Sequence, residues 1–380
     1  HVIRIKGRPL VLRESVWSQG REAIKEELDK YAEEYKAMFE RQAPKADQPK
    51  TMLPTDPKNI WMEGIGLIGL GANAKAASIA GDLVVQNARV RAIGEDAGGF
   101  RPISEKDLFD CEYWSLEQAK LGKGAPPKFQ GKIVMITGGS GTIGFAIAKA
   151  FSKLGAQTIL VDKDEIALKE SVAKLGVGHK YFPIDVTHSD AANQAMLAAI
   201  NNFGGLDILI SNAGAAHAGP MLGISNEELR NAFELNFFSH YSFSTEAAKI
   251  LKDQNRGGQI LFNISKQAVN PGKNFGAYGL PKATTFFLMR QLALELGSDG
   301  IRVNGINADR IRSGLLTDEF ISSRAKSRGV SESEYMAGNL LNKEVTAEHV
   351  ADAFTALACA ESTTGHVMTV DGGNIEASLR

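Results

Sequence analysis

A phenol and an amine stand four residues apart at Tyr278 and Lys282, a spacing that sets both on one helix face, one turn from each other. A nearby ammonium stabilises a phenolate, drawing a tyrosine down from its ordinary pKa of about 10 so that it can serve as general base or acid. Ser265 closes the apolar run ILFNIS ahead of this pair, and its hydroxyl is suited to hold a substrate oxygen. Asn236, within the helical stretch FELNFF, offers an amide or a carbonyl to anchor a proton-relay water. Singly, a Tyr and a Lys at this spacing are ordinary solvated helix residues; the set carries the chemistry.

A second kind of chemistry is written into Thr137-Gly138-Gly139-Ser140-Gly141-Thr142-Ile143-Gly144, which follows the strand-like IVMIT and precedes the helical FAIAKAF. Glycines there allow a tight turn and close approach of backbone N–H groups to a pyrophosphate, and the positive end of the following helix favours its charge. Asp162 ends the next apolar run, TILVD, where a carboxylate accepts both ribose hydroxyls and repels a 2′-phosphate. NAD is therefore expected over NADP, a preference that Lys163 tempers. A similar glycine pattern, GIGLIGLG at Gly64, Gly66 and Gly69, lacks a second strand ending in an acid, and reads as a tight turn between packed elements.

These residues need a scaffold that brings them together. From Lys132 onward the runs IVMIT, TILVD, YFPID, LDILI, ILFNI and IRVNGIN alternate with helical stretches, which predicts a parallel sheet covered by helices on both faces. Upstream, residues 11–41 place Val16, Ile24, Leu28, Tyr31, Tyr35 and Phe39 at helical spacing, predicting one amphipathic helix. A proline-rich loop (42–58) follows, then a compact stretch (60–122) with a helix from about Ala72 to Arg91, and a linker at 123–131. Three segments result: a module at 1–122, the linker, and a main domain at 132–380.

Bulk properties bound the partners. With 43 Lys and Arg against 44 Asp and Glu, no basic field favours nucleic acid or an anionic membrane. No apolar run reaches the roughly 20 residues of a membrane span. Cys111 and Cys359 form neither a disulfide framework nor a thiolate metal site, which fits a reducing, cytoplasmic setting, and the histidines show no metal-ligand spacing. A small molecule is the expected partner, and no metal is expected.

From about Gly131 to the C-terminus the chain resembles the short-chain dehydrogenase/reductase family. The match rests on the 137–144 loop, Asp162, Asp185 in PIDV, Asn212-Ala213-Gly214, Asn236, Ser265, Tyr278, Lys282, IRVN and VDGG. The resemblance implies a Rossmann-type doubly wound α/β sheet. It also implies adenine contact at Asp185 and Val186, a cofactor groove at Asn212, Ala213 and Gly214, and a cofactor loop at Gly138, Ser140, Gly141, Thr142, Ile143 and Gly144. Lys282 would additionally hold the nicotinamide ribose. Two departures stand out: Thr142 occupies a usual glycine position, compensated by Gly141, and Asn307-Ala308-Asp309-Arg310 replaces the usual Pro-Gly after IRVN.

Residues 60–121 and the stretches FNISKQAVNPGKNFGAYGLPKA and NADRIRSGLLTDEF resemble bacterial fusions of a class II aldolase with a short-chain dehydrogenase, of the type that cleaves rhamnulose phosphate and oxidises lactaldehyde. After His1 the next histidine is His179, so the aldolase metal site is not expected here, and residues 1–122 read as a smaller α/β remnant or docking module. The expected activity is NAD-linked oxidation or reduction of a small alcohol, hydroxyaldehyde or sugar-derived carbonyl. The alternatives are a polyol or sugar-acid dehydrogenase and a non-catalytic nucleotide-binding scaffold. The resemblance further implies a homodimer or homotetramer. Lys266, Lys273, Arg310 and Arg312 are expected at the mouth of the site, pointing to a carboxylate or phosphate on the substrate, and His217 is a candidate to face it.

Overall fold

The computed structural model describes residues 2–121, 124–216, 218–314 and 316–374; His217 lies outside them. The chain forms two compact units, His1–Pro127 and Lys128–Arg380.

In the first unit a three-stranded sheet runs β1 (Leu10–Leu12), β2 (Asn59–Met62), β3 (Gly66–Gly69), with β1 parallel and β3 antiparallel to β2. The single helix expected over 11–41 is instead β1, a short helix Glu14–Trp17 and a long helix Arg21–Gln42. The break falls at Gly20, whose φ of 94° lies outside any helix. The GIGLIGLG segment supplies a hairpin turn and then β3, so its glycines lead into a strand and the backbone N–H groups are not gathered at a helix start. The next helix, Ala74–Asp96, is capped by the Asn73 side chain.

Tyr35, Met38, Phe109 and Tyr113 form part of this unit's core. Beside them is a buried polar cluster: Lys6 Nζ lies 3.5 Å from Glu112 Oε1, with side chains 3% and 1% exposed. Tyr35 donates to the same carboxylate at 3.1 Å. Burial pulls Lys6 down to about 8 and pushes Glu112 up, each group keeping its charge only through the other.

The second unit is a seven-stranded, wholly parallel sheet. Its strands are β4 (Ile133–Thr137), β5 (Gln157–Asp162), β6 (Lys180–Pro183), β7 (Ile208–Ser211), β8 (Gly258–Asn263), β9 (Ile301–Ala308) and β10 (Val367–Val370). The order is β10-β9-β8-β7-β4-β5-β6. Its central strands are uniformly buried, as befits a sheet covered on both faces: Ile133, Met135, Ile159 and Leu209 pack against the helices Ala191–Phe203, Ser239–Gln254 and Gly276–Leu296. Val134, Ile136 and Leu160 face the helices Thr142–Lys153 and Ala347–Cys359. Phe129, predicted as linker, is 5% exposed and packs on Phe151, so the folded unit starts a few residues before 132.

Chain order reverses at the β4–β7 seam, opening a crevice at the carboxyl ends of these strands, where ligands of such sheets bind. Thr137 stitches the seam: its Oγ1 accepts from the N–H groups of Asn212 and Ala213 at 2.9 and 3.0 Å. Asn263 extends the lattice by donating to Asn212 Oδ1 at 2.9 Å.

Candidate active site

One cavity of about 1190 Å³ spans this crevice. Gly138, Gly141, Thr142, Ile143, Gly144, Asp162, Asp185, Val186, Asn212, Ala213, Gly214, Ser265, Tyr278 and Lys282 all line it. Two predicted site residues do not. Ser140 turns its hydroxyl onto Asp162 Oδ2 at 2.7 Å, and Asn236, 1% exposed, lies behind the Gly214 turn.

The glycine loop is built for close approach. Gly138 adopts a φ of 63°, and a Cβ on Gly144 would meet the Gly138 carbonyl oxygen at 2.1 Å. The helix Thr142–Lys153 begins at Gly141 without a side-chain cap, which leaves its first N–H groups available to an anion at the cavity wall. Asp162 Oδ1 also accepts the Lys163 N–H at 2.8 Å, so the carboxylate is fixed at the end of β5 while keeping acceptor capacity. Asp185 is held by Thr187, whose N–H and hydroxyl donate to Oδ1 at 3.0 and 2.7 Å and keep the carboxyl below its usual range. A turn that no side chain can enter, an uncapped helix start and a carboxylate one strand away fit a dinucleotide.

Tyr278 and Lys282 lie on the helix Gly276–Leu296, 8% and 2% exposed. Lys282 Nζ is 5.8 Å from the Tyr278 ring centroid and donates to the Asn263 carbonyl at 3.0 Å. Burial pushes the Tyr278 phenol up to about 12, against a lowering hydrogen bond from Ser265. The lowering expected from the Lys282 ammonium is not found in this state, where burial sets the direction. Burial also draws Lys282 down to about 7, so in this state the amine, and not the phenol, can give up a proton near neutrality.

Behind Lys282 the structure places a histidine to which the sequence analysis gave no part in the site. His240 is 1% exposed, with Nε2 3.4 Å from Lys282 Nζ and Nδ1 2.6 Å from Ser211 Oγ. Burial first, and the charge of Lys282 second, hold its pKa well below the usual histidine range. With the lysine as donor, neutral His240 accepts at Nε2 and its ring proton sits on Nδ1, facing Ser211. The signal was present, since His240 follows Asn236 by four residues.

Asn236 itself occupies a π-helical turn, Glu234–Phe238, between two α-helices. Its Nδ2 donates to the carbonyls of Ala215 and Ala232 at 3.0 and 3.1 Å, and Oδ1 accepts from Ala215 N–H at 3.3 Å. Its own carbonyl takes the Thr285 hydroxyl at 2.7 Å. The side-chain amide predicted to anchor a water is therefore committed to the backbone of Ala215 and Ala232.

At the other end of the cavity Lys266, Lys273 and Arg310 line the wall as expected, and Arg312 does not. Lys266 is paired with Asp309 at 2.7 Å, and Arg310, at a φ of 49°, donates to the Tyr335 carbonyl at 2.6 Å. Arg312 is held by Glu344 and Asp318 at 2.7 and 2.6 Å and does not line the cavity, because its carboxylate partners draw it outward. Lys273 lines it, as predicted, and so do Arg324 and Arg328, which the sequence reading missed.

The comparisons agree with this geometry. Residues 139–374 match the family model described as enoyl-(acyl carrier protein) reductase, and residues 1–121 match aldolase class II, second domain. An uncharacterized oxidoreductase, YuxG, of Bacillus subtilis is 31% identical over 98% of the chain, which spans only 56% of that relative's length. General stress protein 39 of Bacillus subtilis is 31% identical, covering 66% of this chain and 87% of its own. Among solved structures, a 3-ketoacyl-(acyl-carrier-protein) reductase from Brucella melitensis complexed with NADH is 25% identical, with a TM-score of 0.57 over 64% of this chain and 98% of that one. A short-chain type dehydrogenase/reductase from Mycobacterium ulcerans is 29% identical, with a TM-score of 0.59 over 66% of this chain and 90% of that one.

Proposed function

The chain belongs to the short-chain dehydrogenase/reductase family of oxidoreductases, and from that premise we propose that it is an NAD-dependent dehydrogenase of a small alcohol, hydroxyaldehyde or sugar-derived carbonyl. One observation carries the reading: Ser265, Tyr278 and Lys282 line the same cavity as the glycine loop and Asp162. A nicotinamide bound there supplies the hydride acceptor or donor.

The protein's own residues handle the oxygen and its proton. Ser265 holds the substrate oxygen beside the phenol, and Tyr278 takes the hydroxyl proton on oxidation or returns it on reduction. As the C–H bond electrons depart with the hydride, those of the O–H bond become the new C=O bond and the proton passes to the Tyr278 phenolate; in reduction the phenol gives its proton to the substrate oxygen and is left as phenolate. Lys282 answers that charge, itself oriented by the Asn263 carbonyl and His240. NAD over NADP rests on Asp162, whose carboxylate favours ribose hydroxyls and disfavours a 2′-phosphate. The test is reduction of NAD and, separately, NADP with a panel of hydroxyaldehydes, polyols and sugar acids. Turnover confined to NADP would refute the cofactor assignment, and absence of turnover on every compound would favour a nucleotide-binding scaffold.

A further inference from the structure

Resting on that dehydrogenase reading, we propose that the substrate carries a carboxylate or phosphate that docks on the guanidinium groups of Arg324 and Arg328. The two residues are four apart on the helix Asp318–Arg328, hence on one face, and both line the cavity. Arg324 is braced by two aromatic rings, its guanidinium carbon 5.6 Å from the Phe275 centroid and 5.7 Å from that of Phe320. Its Nε is buried with no hydrogen-bond partner among the described residues. Arg328 lies 5.3 Å over the Tyr335 ring. The rings hold each guanidinium by cation–π attraction without using its N–H groups, which are the donors that recognise a planar or tetrahedral oxyanion.

Charge balance points the same way. No carboxylate pairs with Arg324 or Arg328 among the described residues, whereas Lys266 and Arg312 are each paired. Apart from Asp162 and Asp185 at the dinucleotide end, the acids of the lining are Asp309, already matched to Lys266, and Glu234. The position also suits the chemistry. Phe275, on which Arg324 stacks, accepts the Tyr278 N–H at 3.1 Å, so the bracing ring is one helical turn from the phenol. An anion held by Arg324 therefore belongs to the molecule whose hydroxyl or carbonyl meets Tyr278, and it fixes which end of that molecule is oxidised.

Matched four-carbon compounds provide the test: a neutral polyol, its aldonate and its phosphate ester. For the wild type, kcat/KM for an anionic member should exceed that of the neutral one roughly 100-fold, at roughly tenfold or more per charge-assisted contact. In R324Q/R328Q the ratio should collapse toward one, mainly through KM. Which of aldonate and phosphate gains more identifies the anion. Equal turnover of neutral and anionic members, or an unchanged ratio in the double variant, overturns the site while leaving the dehydrogenase reading intact. Calorimetric titration of the same anions into NADH-loaded Tyr278→Phe protein separates the two ideas. Arginine-dependent binding by a protein whose wild type turns over nothing keeps the site and rejects the dehydrogenase, and failure to bind either anion rejects the site.

Discussion

Asp162→Ala offers a quantitative check on how the cavity chooses its dinucleotide. In the wild type the carboxylate stands at the end of β5, fixed by Ser140 and by the Lys163 N–H. Its loss removes charge-assisted hydrogen bonds to two ribose hydroxyls, each worth about 1.5–3 kcal/mol before water takes their place. A net loss of about 2–3 kcal/mol corresponds to a roughly 30- to 150-fold weaker Kd for NADH. The same change removes repulsion of a 2′-phosphate. Two unit charges about 5 Å apart at an effective dielectric near 20 repel by about 3 kcal/mol, of which half-exposure leaves roughly 1–2 kcal/mol after screening. Lys163, which stays, then attracts the phosphate. The NADH-to-NADPH preference should fall by about 3–5 kcal/mol, roughly 150- to 4,500-fold, read by fluorescence titration of each cofactor. Asp162→Asn, which keeps an acceptor oxygen and loses the charge, should fall between. If both variants keep the wild-type preference, specificity arises elsewhere and the role given to Asp162 is wrong.

Other consequences follow from the buried groups. In the wild type, alcohol oxidation should gain rate with rising pH as Tyr278 loses its proton; Lys282→Met removes the cation that favours the phenolate once the site is charged with cofactor and substrate, so the rising limb should move to higher pH. An unmoved limb would show that Lys282 does not act on the phenol. His240→Phe strands Ser211 Oγ and removes one acceptor from Lys282, and should cost about 1–3 kcal/mol in urea unfolding while altering the pH–rate profile. His240→Gln, which restores an acceptor, should recover part of both, and a pH profile identical to wild type in His240→Phe would reduce the histidine to packing. In the first unit, Glu112→Leu leaves Lys6 as a buried unpaired charge and should cost about 3–5 kcal/mol, whereas Lys6→Met with Glu112→Leu should recover most of it. A double variant as unstable as the single one would contradict the pairing.

What could be read in advance was local. IVMIT followed by a glycine loop and helix, TILVD ending in Asp162, and a Tyr and Lys one turn apart each need only neighbouring residues to be recognised. What escaped depended on long-range packing. β10 is four residues, VMTV, paired among the described residues with β9 alone and half-buried, with neither length nor alternation to announce it. The helix over 11–41 had the right periodicity, but Gly20 divided it and Leu10 and Leu12 joined a strand whose partner lies far along the chain. Asn236 was placed on a helix, yet its side chain serves the Gly214 turn from within a π-helical turn that periodicity does not predict. Arg312 and Arg324 are equally basic in sequence; only the fold assigns one to Glu344 and Asp318 and the other to the cavity.

The central claim, that one cavity joins a dinucleotide to a tyrosine that moves the substrate proton, is tested most directly by comparing wild type and Tyr278→Phe in two assays. These are NADH binding by fluorescence and substrate-dependent NAD reduction at about 340 nm with a turned-over alcohol. Loss of one phenolic oxygen should leave the NADH Kd within a few-fold of wild type and lower kcat by roughly 100- to 10,000-fold, the range of general acid–base catalysis. Retained turnover in Tyr278→Phe would contradict the account.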